Sequence, residues 1–380
     1  MNILITGANG FVGKNLCVTL ESIRDGKDKT RSIITNLTIM KYDINTEPVL
    51  LDNYCQQADF VFHLAGINRP KDPAEFMAGN FSFTSVLLET LKKHENNCPI
   101  LISSSIQAEL DNPYGQSKKA GEDLMFSYSR DTGAKVIVYR LPNVFGKWCR
   151  PNYNSVVATF CHSIAHDLPI TVNDPSVNMQ LVYIDDVVNE FIGALSGNAH
   201  VENGFGFIPT VHKVRLGEIA DLLYTFKENR NSLSVPRLDN AFEKALYSTY
   251  LSYLPEDQFS YPLKMYIDSR GSFTEIIRTS DRGQFSVNIS KPGITKGNHW
   301  HHTKNEKFVV VNGKALIQFR KIGSDEVLDY HVSGDKIEVV DIPVGYTHNI
   351  INEGEGDLIT FMWCNECFDR EHPDTFFEEV

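Results

Sequence analysis

The sequence predicts a doubly wound α/β domain followed by an all-β domain with the texture of a sandwich or barrel. Three observations carry this. Apolar runs of strand length alternate with helix-period stretches through about residue 245, and a glycine-rich turn joins the first run to the first helical stretch. From about residue 260 the runs follow one another with only Gly, Asn and Asp turns between them.

Residues 2–6 (NILIT) are apolar throughout, and Gly7, Gly10 and Gly13 then punctuate the start of a helical segment reaching about residue 24. Further runs at 59–64, 99–103 and 135–141 alternate with helical stretches at about 74–94 and 115–133. Such alternation requires crossovers between parallel strands, so the sheet is expected to be covered on both faces. Later, 284–290, 307–311, 315–320, 327–332, 337–342 and 357–363 read as short antiparallel strands. Pro236, Pro255 and Pro262 punctuate the intervening polar and aromatic stretch. The boundary is drawn there, giving domains 1–245 and 246–380.

At 380 residues, with 42% hydrophobic and 22% charged residues, the chain can bury sizeable cores and is neither disordered nor a small stapled scaffold. Its net charge of −12, from 36 basic against 48 acidic residues, shows no basic face, which excludes nucleic acid as an expected partner. No run approaches the roughly 20 apolar residues of a membrane span. The start MNILITGANG lacks a basic flank and cleavage site. No membrane partner is expected, and a cytoplasmic location is. Seven cysteines, an odd number, fit free thiols in a reducing compartment. Cys364 and Cys367 are expected as structural thiols near a strand end.

Gly7-Ala-Asn-Gly10-Phe11-Val12-Gly13 follows a strand and opens a helix, the context a dinucleotide fingerprint needs. Gly7 permits the tight turn, Gly10 lets backbone approach a pyrophosphate, Gly13 lets helix pack on strand, and the helix N-terminus supplies a positive pole. Tyr114 and Lys118 lie four apart, on one face of a helix, where the ammonium is expected to lower the phenol's pKa. A phenol so shifted can protonate a carbonyl oxygen as hydride arrives. Ser103-Ser104-Ser105 ends the preceding strand and supplies a hydroxyl. Alone, Tyr-x-x-x-Lys is an ordinary surface pair; its setting beyond the fingerprint and the serine-ended strand reverses that reading.

Together with Asp43, His63-Leu64-Ala65-Gly66, Asn80, Arg140-Leu-Pro-Asn143-Val-Phe-Gly146 and Val182-Tyr-Ile-Asp-Asp186, these motifs resemble the extended short-chain dehydrogenase/reductase family over about the first 245 residues. The resemblance implies a Rossmann-like fold and a nicotinamide cofactor, NADPH, held by Gly7, Gly10, Phe11, Val12, Gly13, Asp43, Leu64, Ala65 and Lys118. It implies Tyr114 as the acid, Ser105 as the substrate-orienting hydroxyl with Ser104 as the alternative, and Lys118 on the nicotinamide ribose. Asn143 and Ser104 would lie beside the substrate, and Asp43 would contact adenine. The sequence near Thr35 and Asn36 offers no clear arginine for a 2′-phosphate, so the residues leave NADP and NAD open. Sugar-nucleotide dehydratases of this family carry an acid pair after the active-site hydroxyl. Here Ile106 and Gln107 follow Ser105, which leaves ketone reduction or epimerisation.

A second constellation lies downstream. Gly293-x5-His299-x-His301-x4-Glu306-x6-Gly313 is followed by Pro343-x-Gly345-x2-His348-x3-Asn352. His299 and His301, two apart on a strand, leave one face, and Glu306 returns after a short turn. His348 can close the set from across a barrel, while His302 faces the other way. Three imidazoles and one carboxylate suit Zn2+ or another divalent transition metal. Both segments resemble the signature motifs of the cupin superfamily, which implies a jelly-roll barrel; the gap of nine between Gly334 and Pro343 is longer than the family's.

Asp268-Ser-Arg270-Gly271-Ser-Phe273-Thr-Glu275, 284–290 and Lys296-Gly-Asn-His299 resemble cupins that epimerise 4-keto-6-deoxy sugar nucleotides, normally without a metal. A proton at C3 is removable beside a C4 ketone when the enolate is stabilised, and a Lewis-acid cation can do that. Lys296, Lys307 and Tyr346 are candidates for the base. The whole chain resembles bifunctional enzymes of capsular polysaccharide synthesis. That resemblance implies a homodimer on the route to UDP-N-acetyl-L-fucosamine. UDP-2-acetamido-2,6-dideoxy-β-L-arabino-4-hexulose, a UDP-4-keto-6-deoxy-N-acetylhexosamine, would be epimerised at C3 in the cupin. Reduction at C4 with NADPH would then give UDP-2-acetamido-2,6-dideoxy-L-talose. Two rivals stay open: a reductase whose cupin only stabilises a dimer through its metal, and a non-enzymatic nucleotide-sugar sensor.

Overall fold

The computed structural model describes residues 1–31, 36–70, 72 and 74–380. Thr35, near which the sequence offers no clear arginine for a 2′-phosphate, therefore lies outside the described residues. Two compact units divide the chain: Met1–Tyr224 with Leu238–Pro255, and Thr225–Arg237 with Glu256–Val380.

The first unit runs β1 (Asn2–Thr6), α1 (Phe11–Arg24), β2 (Thr38–Tyr42), α2 (Pro48–Gln57), β3 (Phe60–His63), α3 (Ala74–Met77), α4 (Phe83–Lys93), β4 (Ile100–Ser105), α5 (Pro113–Thr132) and β5 (Val136–Leu141). It continues with β6 (Asn143–Phe145), α6 (Val156–Ala165), β7 (Asn178–Tyr183), α7 (Ile184–Leu195), β8 (Val201–Glu202), β9 (Phe205–Gly206) and β10 (His212–Arg215). α8 (Leu216–Ser232), whose residues from Thr225 onward belong to the second unit, and α9 (Ala241–Leu251) follow. The expected boundary at 245/246 falls inside α9, which stays wholly with this unit.

The main sheet has the order β2-β1-β3-β4-β5-β9-β8, and β1 to β5 pair in parallel, as the alternating pattern predicts. The chain leaves β1 for β2 on one side and returns on the other as β3. The carboxyl ends of β1 and β3 thus form the switch point where an open α/β sheet accepts a ligand. Consecutive residues of each strand serve two cores. Ile3, Ile5, Phe62 and Leu101 pack towards α1 and α7, while Leu4, Val61, Ile100 and Val138 pack towards α2, α4 and α5. This is why the runs are apolar at every position rather than alternating. Truncating Leu4, which is fully buried, to alanine costs about 2–5 kcal/mol.

One expected helix is not continuous. Between α3 and α4 the backbone widens into a π turn, Ala78–Ser82, which carries Asn80 inward. Its amide accepts from Ile67 N (2.9 Å) and donates to Ile67 O (2.8 Å) and Ser117 Oγ (3.0 Å), so the irregular turn ties α4 to α5 beneath the switch point.

The second unit is antiparallel β structure: β11 (Met265–Asp268), β12 (Gly271–Thr279), β13 (Gly283–Ser290), β14 (Thr295–Trp300), β15 (Glu306–Asn312), β16 (Lys314–Lys321), β17 (Val327–Ser333), β18 (Val339–Ile342), β19 (Tyr346–Asn352), β20 (Leu358–Cys364) and β21 (Phe376–Phe377). Two sheets, β11-β12-β13-β20-β15-β18 and β17-β16-β19-β14-β21, form the expected jelly-roll type of double sheet. Phe308, Val310, Ile317, Phe319, Ile342 and Ile350 fill the space between them. β13 inverts the usual pattern. Gln284, Ser286, Asn288 and Ser290 are its buried residues, whereas Phe285, Val287 and Ile289 are only partly buried. That wall of the interior is polar. Among the described residues no helix is long and apolar enough to cross a membrane.

Candidate functional site

The first site is built at the switch point. Gly7 takes φ +70°, its N–H donates to Tyr42 O at 2.9 Å, and a Cβ there would meet Ala65 N at 2.6 Å. A Cβ on Gly13 would lie 2.1 Å from Gly7 O. Only glycine leaves this turn open, and Gly10 then caps α1 with backbone alone. Asp43 sits just past β2, where its Oδ2 accepts from Asn9 N at 2.7 Å, so it braces the turn. The glycine turn, Phe11, Val12 and Leu64 line a cavity of about 460 Å³, and Ala65 packs behind Gly7. This cradle fits the dinucleotide expected there.

Ser105, Tyr114, Lys118 and Asn143 line the same cavity. α5 starts at Pro113 because Asn112 caps it, its Oδ1 accepting from Gly115 N at 2.8 Å, which places Tyr114 in the first turn facing the end of β4. Burial pushes the Tyr114 phenol above its ordinary value, and a hydrogen bond from Ser105 opposes the shift. Lys118 does not lower it as expected. Its Nζ lies 6.0 Å from the Tyr114 ring centroid and donates to Ser103 O at 3.2 Å, and burial pulls the ammonium itself down to about 8. Desolvation dominates at both groups.

Ser104 lines the same cavity, but its hydroxyl is held by a buried carboxylate. It is 6% exposed and donates to Glu122 Oε1 at 2.6 Å. Glu122, fully buried, also accepts from Arg140 Nε (2.9 Å) and Nη2 (2.7 Å). Glu122 escaped the sequence reading, although it continues the spacing Tyr114, Lys118, Glu122 along one helix face. Asn143 reaches Gln180 O at 3.4 Å from an exposed position on the cavity wall.

The second site gathers His299, His301, Glu306 and His348, whose ligand atoms all lie within 4.8 Å of one another. His299 stands on β14, and a bulge at Asn298 (φ +59°) sets its register against His348 on β19. His348 is therefore the cross-strand neighbour of His299 rather than its opposite across the barrel. Glu306, opening β15, is the ligand that comes from the other sheet. His301 lies one residue past β14 and its Nδ1 hydrogen-bonds to Asp374 O, which aims Nε2 at the cluster.

Four chemical observations fit a divalent ion. His301 Nε2, His348 Nε2 and Glu306 Oε2 are buried without hydrogen-bond partners. Such atoms are costly unless something positive fills the space between them. His348 Nε2 and His301 Nε2 stand 3.3 and 3.6 Å from Glu306 Oε2. Burial, then the neighbouring His348, holds His299 down at about 4, in the neutral form that ligates. Burial alone would raise Glu306, but His301, His348 and Lys304 pull it well below the ordinary carboxylate range.

The cluster opens into a cavity of about 1060 Å³ whose walls include Gln284, Ser286, Asn288, Lys296, Lys264 and Arg278. Of the three candidate bases, Lys296 lines it, with Nζ bound to Asn288 Oδ1 (2.7 Å) and Ile289 O (2.9 Å). Lys307 does not; it pairs with Asp341. Tyr346 packs against the core. His302 is exposed and outside the cluster. Cys364 ends β20 and Cys367 lies just beyond; both border the cavity as free thiols. Asp374 escaped the sequence reading because it lies some seventy residues from the groups it binds. Its carboxylate accepts from the N–H groups of His302, Thr303 and Lys304 at 2.7 to 2.9 Å.

Comparison with known proteins agrees with both units. Residues 3–204 match the NAD dependent epimerase/dehydratase family, and residues 266–376 match the polysaccharide biosynthesis C-terminal domain. A Pseudomonas aeruginosa protein named UDP-2-acetamido-2,6-beta-L-arabino-hexul-4-ose reductase is 44% identical, the alignment covering 99% of this chain and 98% of the relative. The crystal structure of the capsular polysaccharide assembling protein CapF from Staphylococcus aureus is 56% identical with a TM-score of 0.93, covering 100% of both chains. UDP-glucose 4-epimerase from Thermus thermophilus in complex with NAD, at 18% identity and a TM-score of 0.52 over 67% of this chain and 99% of that one, shares the fold. The chain therefore belongs to the NAD dependent epimerase/dehydratase family, in the two-domain, CapF-like branch that ends in a polysaccharide biosynthesis C-terminal domain.

Proposed function

We propose that the chain is a bifunctional nucleotide-sugar enzyme acting on UDP-2-acetamido-2,6-dideoxy-β-L-arabino-4-hexulose, first as a C3 epimerase in the second unit and then as a C4 ketone reductase in the first. The observation that carries this reading is the meeting of Ser105, Tyr114 and Lys118 around one cavity, in a chain whose second unit holds a three-imidazole, one-carboxylate cluster, buried at all but the partly buried His299. The names of the P. aeruginosa relative and of CapF support the substrate class and a place in polysaccharide assembly. A cytoplasmic homodimer is part of the proposal.

In the first unit, Ser105 orients the ketone oxygen through its hydroxyl, and Tyr114 gives its phenolic proton to that oxygen. When bound, NADPH supplies the hydride that goes to C4. Lys118 holds the nicotinamide ribose, and the glycine turn with the α1 N-terminus receives the pyrophosphate. The atoms balance: C4 gains hydride, its oxygen gains a proton, and the cofactor is oxidised to NADP+.

In the second unit, His299, His301, Glu306 and His348 would hold a divalent ion, Zn2+ or a close relative. When bound, such an ion supplies Lewis acidity for charge developing on a carbonyl oxygen. Lys296 is the candidate base that the cavity retains; it would take the C3 proton from one face of the enolisable ketone, and a solvent-derived proton would reach C3 from the opposite face. Polar Gln284, Ser286 and Asn288 offer the hexose hydrogen bonds. Epimerisation must come first, because C3–H is acidic only while C4 is a ketone.

Turnover of the hexulose with NADPH in deuterated water tests the proposal. The account expects consumption of NADPH and deuterium at C3 of UDP-2-acetamido-2,6-dideoxy-L-talose. NADPH consumption with no deuterium at C3 would favour the alternative, a reductase whose second unit is a metal-stabilised dimerisation module. Absence of both activities would favour a nucleotide-sugar sensor.

A further inference from the structure

The two oxygens of Glu306 have different surroundings. Oε1 faces Lys304 Nζ at 3.2 Å and accepts from Cys364 Sγ at 3.5 Å. Oε2 has no hydrogen-bond partner and points between His301 and His348. Carboxylate, ammonium and thiol are all shielded: Glu306 is 4% exposed, the Lys304 side chain 12% and Cys364 4%. The arm that carries Lys304 is fixed at its root, because its N–H donates to Asp374 Oδ2 at 2.8 Å.

A cation beside an intended cation site opposes occupancy on Coulombic grounds, so its presence there calls for a compensating use. A carboxylate can bind an ion through one oxygen or two. Donors fixed on one oxygen prevent that oxygen from turning towards the ion. From this geometry we infer that Lys304 and Cys364 are positioning residues that hold Glu306 as a one-oxygen ligand through Oε2. The protein then offers four single ligand atoms, and further coordination positions stay free for substrate oxygens. Cys364 serves as a donor to Glu306 and not as a ligand. This inference rests on the proposed metal site, and it concerns how that site is shaped.

Cobalt(II) tests it without reference to turnover. The full chain is stripped of metal by chelation and reloaded with Co2+, whose visible bands are strong at low coordination number and weak at six. The native chain should give strong visible bands and no sulfur-to-cobalt charge-transfer band. Lys304→Met should weaken the visible bands as Glu306 closes onto the ion with both oxygens and raises the protein's donor atoms from four to five, and Lys304→Arg should restore them. Should Lys304→Met not fold, Cys364→Val is expected to move the spectrum the same way and Cys364→Ser to leave it native-like.

An unchanged spectrum in Lys304→Met, or in Cys364→Val where that variant takes its place, overturns the inference while leaving the metal site standing. A charge-transfer band in the native chain makes Cys364 a ligand and also overturns it. Failure of the native chain to bind Co2+ overturns both the inference and the metal reading beneath it.

Discussion

Lys118, which the proposal places on the cofactor, works against the stability of the fold that holds it. Its ammonium is pulled from 10.5 to about 8 by burial, so folding disfavours the protonated form. The penalty is fully present below about pH 8 and is relieved as pH rises towards 10.5, where the unfolded chain also releases the proton. Lys118→Met should therefore stabilise the nucleotide-free protein at pH 7, by on the order of 1–2 kcal/mol given partial shielding, and by much less near pH 10.5. Thermal melts at the two pH values check this. A destabilised variant at pH 7 would mean that the contact with Ser103 O outweighs desolvation. The residue types at this site were readable because each is demanded locally: glycine by φ and close approach, Tyr114 and Lys118 by helical spacing. The direction of the phenol's shift was not readable, since it depends on how deeply α5 seats against β4.

At the scale of elements, two carboxylates, buried Glu122 and half-buried Asp374, connect segments that the sequence keeps far apart. Glu122 on α5 binds Ser104 at the end of β4 and Arg140 on β5. Glu122→Ala leaves a mostly buried guanidinium without its main partner and should cost about 3–5 kcal/mol, measurable by denaturant unfolding. A cost below 1 kcal/mol would show that Glu109, which also contacts Arg140, takes over the charge. Asp374 fastens the turn between His301 and Glu306, and its three backbone hydrogen bonds hold the carboxyl below its ordinary range despite some desolvation. Its contribution is present above about pH 4 and lost as pH falls through the lowered value. Asp374→Ala should weaken divalent-metal affinity by roughly 10- to 100-fold, read by chelator competition. An unaltered affinity would confine Asp374 to a structural role. Strand runs and crossovers were legible because apolar periodicity is a local signal. The π turn at Asn80, the inward polar face of β13, and the pairing that sets His348 beside His299 were not, because each is decided by a partner distant in sequence.

For the whole molecule, the proposal assigns two chemistries to two units: one uses the acidity that a ketone lends to its neighbouring carbon, the other ends that acidity by reduction. If the assignment holds, disabling one site leaves the other working. Tyr114→Phe removes the proton donor of the first unit and should lower reduction by about 10²- to 10⁴-fold. Chelation should silence the second unit alone. The decisive measurement is mass and NMR analysis of the hexulose after incubation with Tyr114→Phe in deuterated water, with the ion present and then stripped. The account predicts deuterium at C3 with no NADPH consumed in the first case and none in the second. Equal deuterium in both would contradict metal-assisted epimerisation, and no deuterium in either would contradict the division of labour itself.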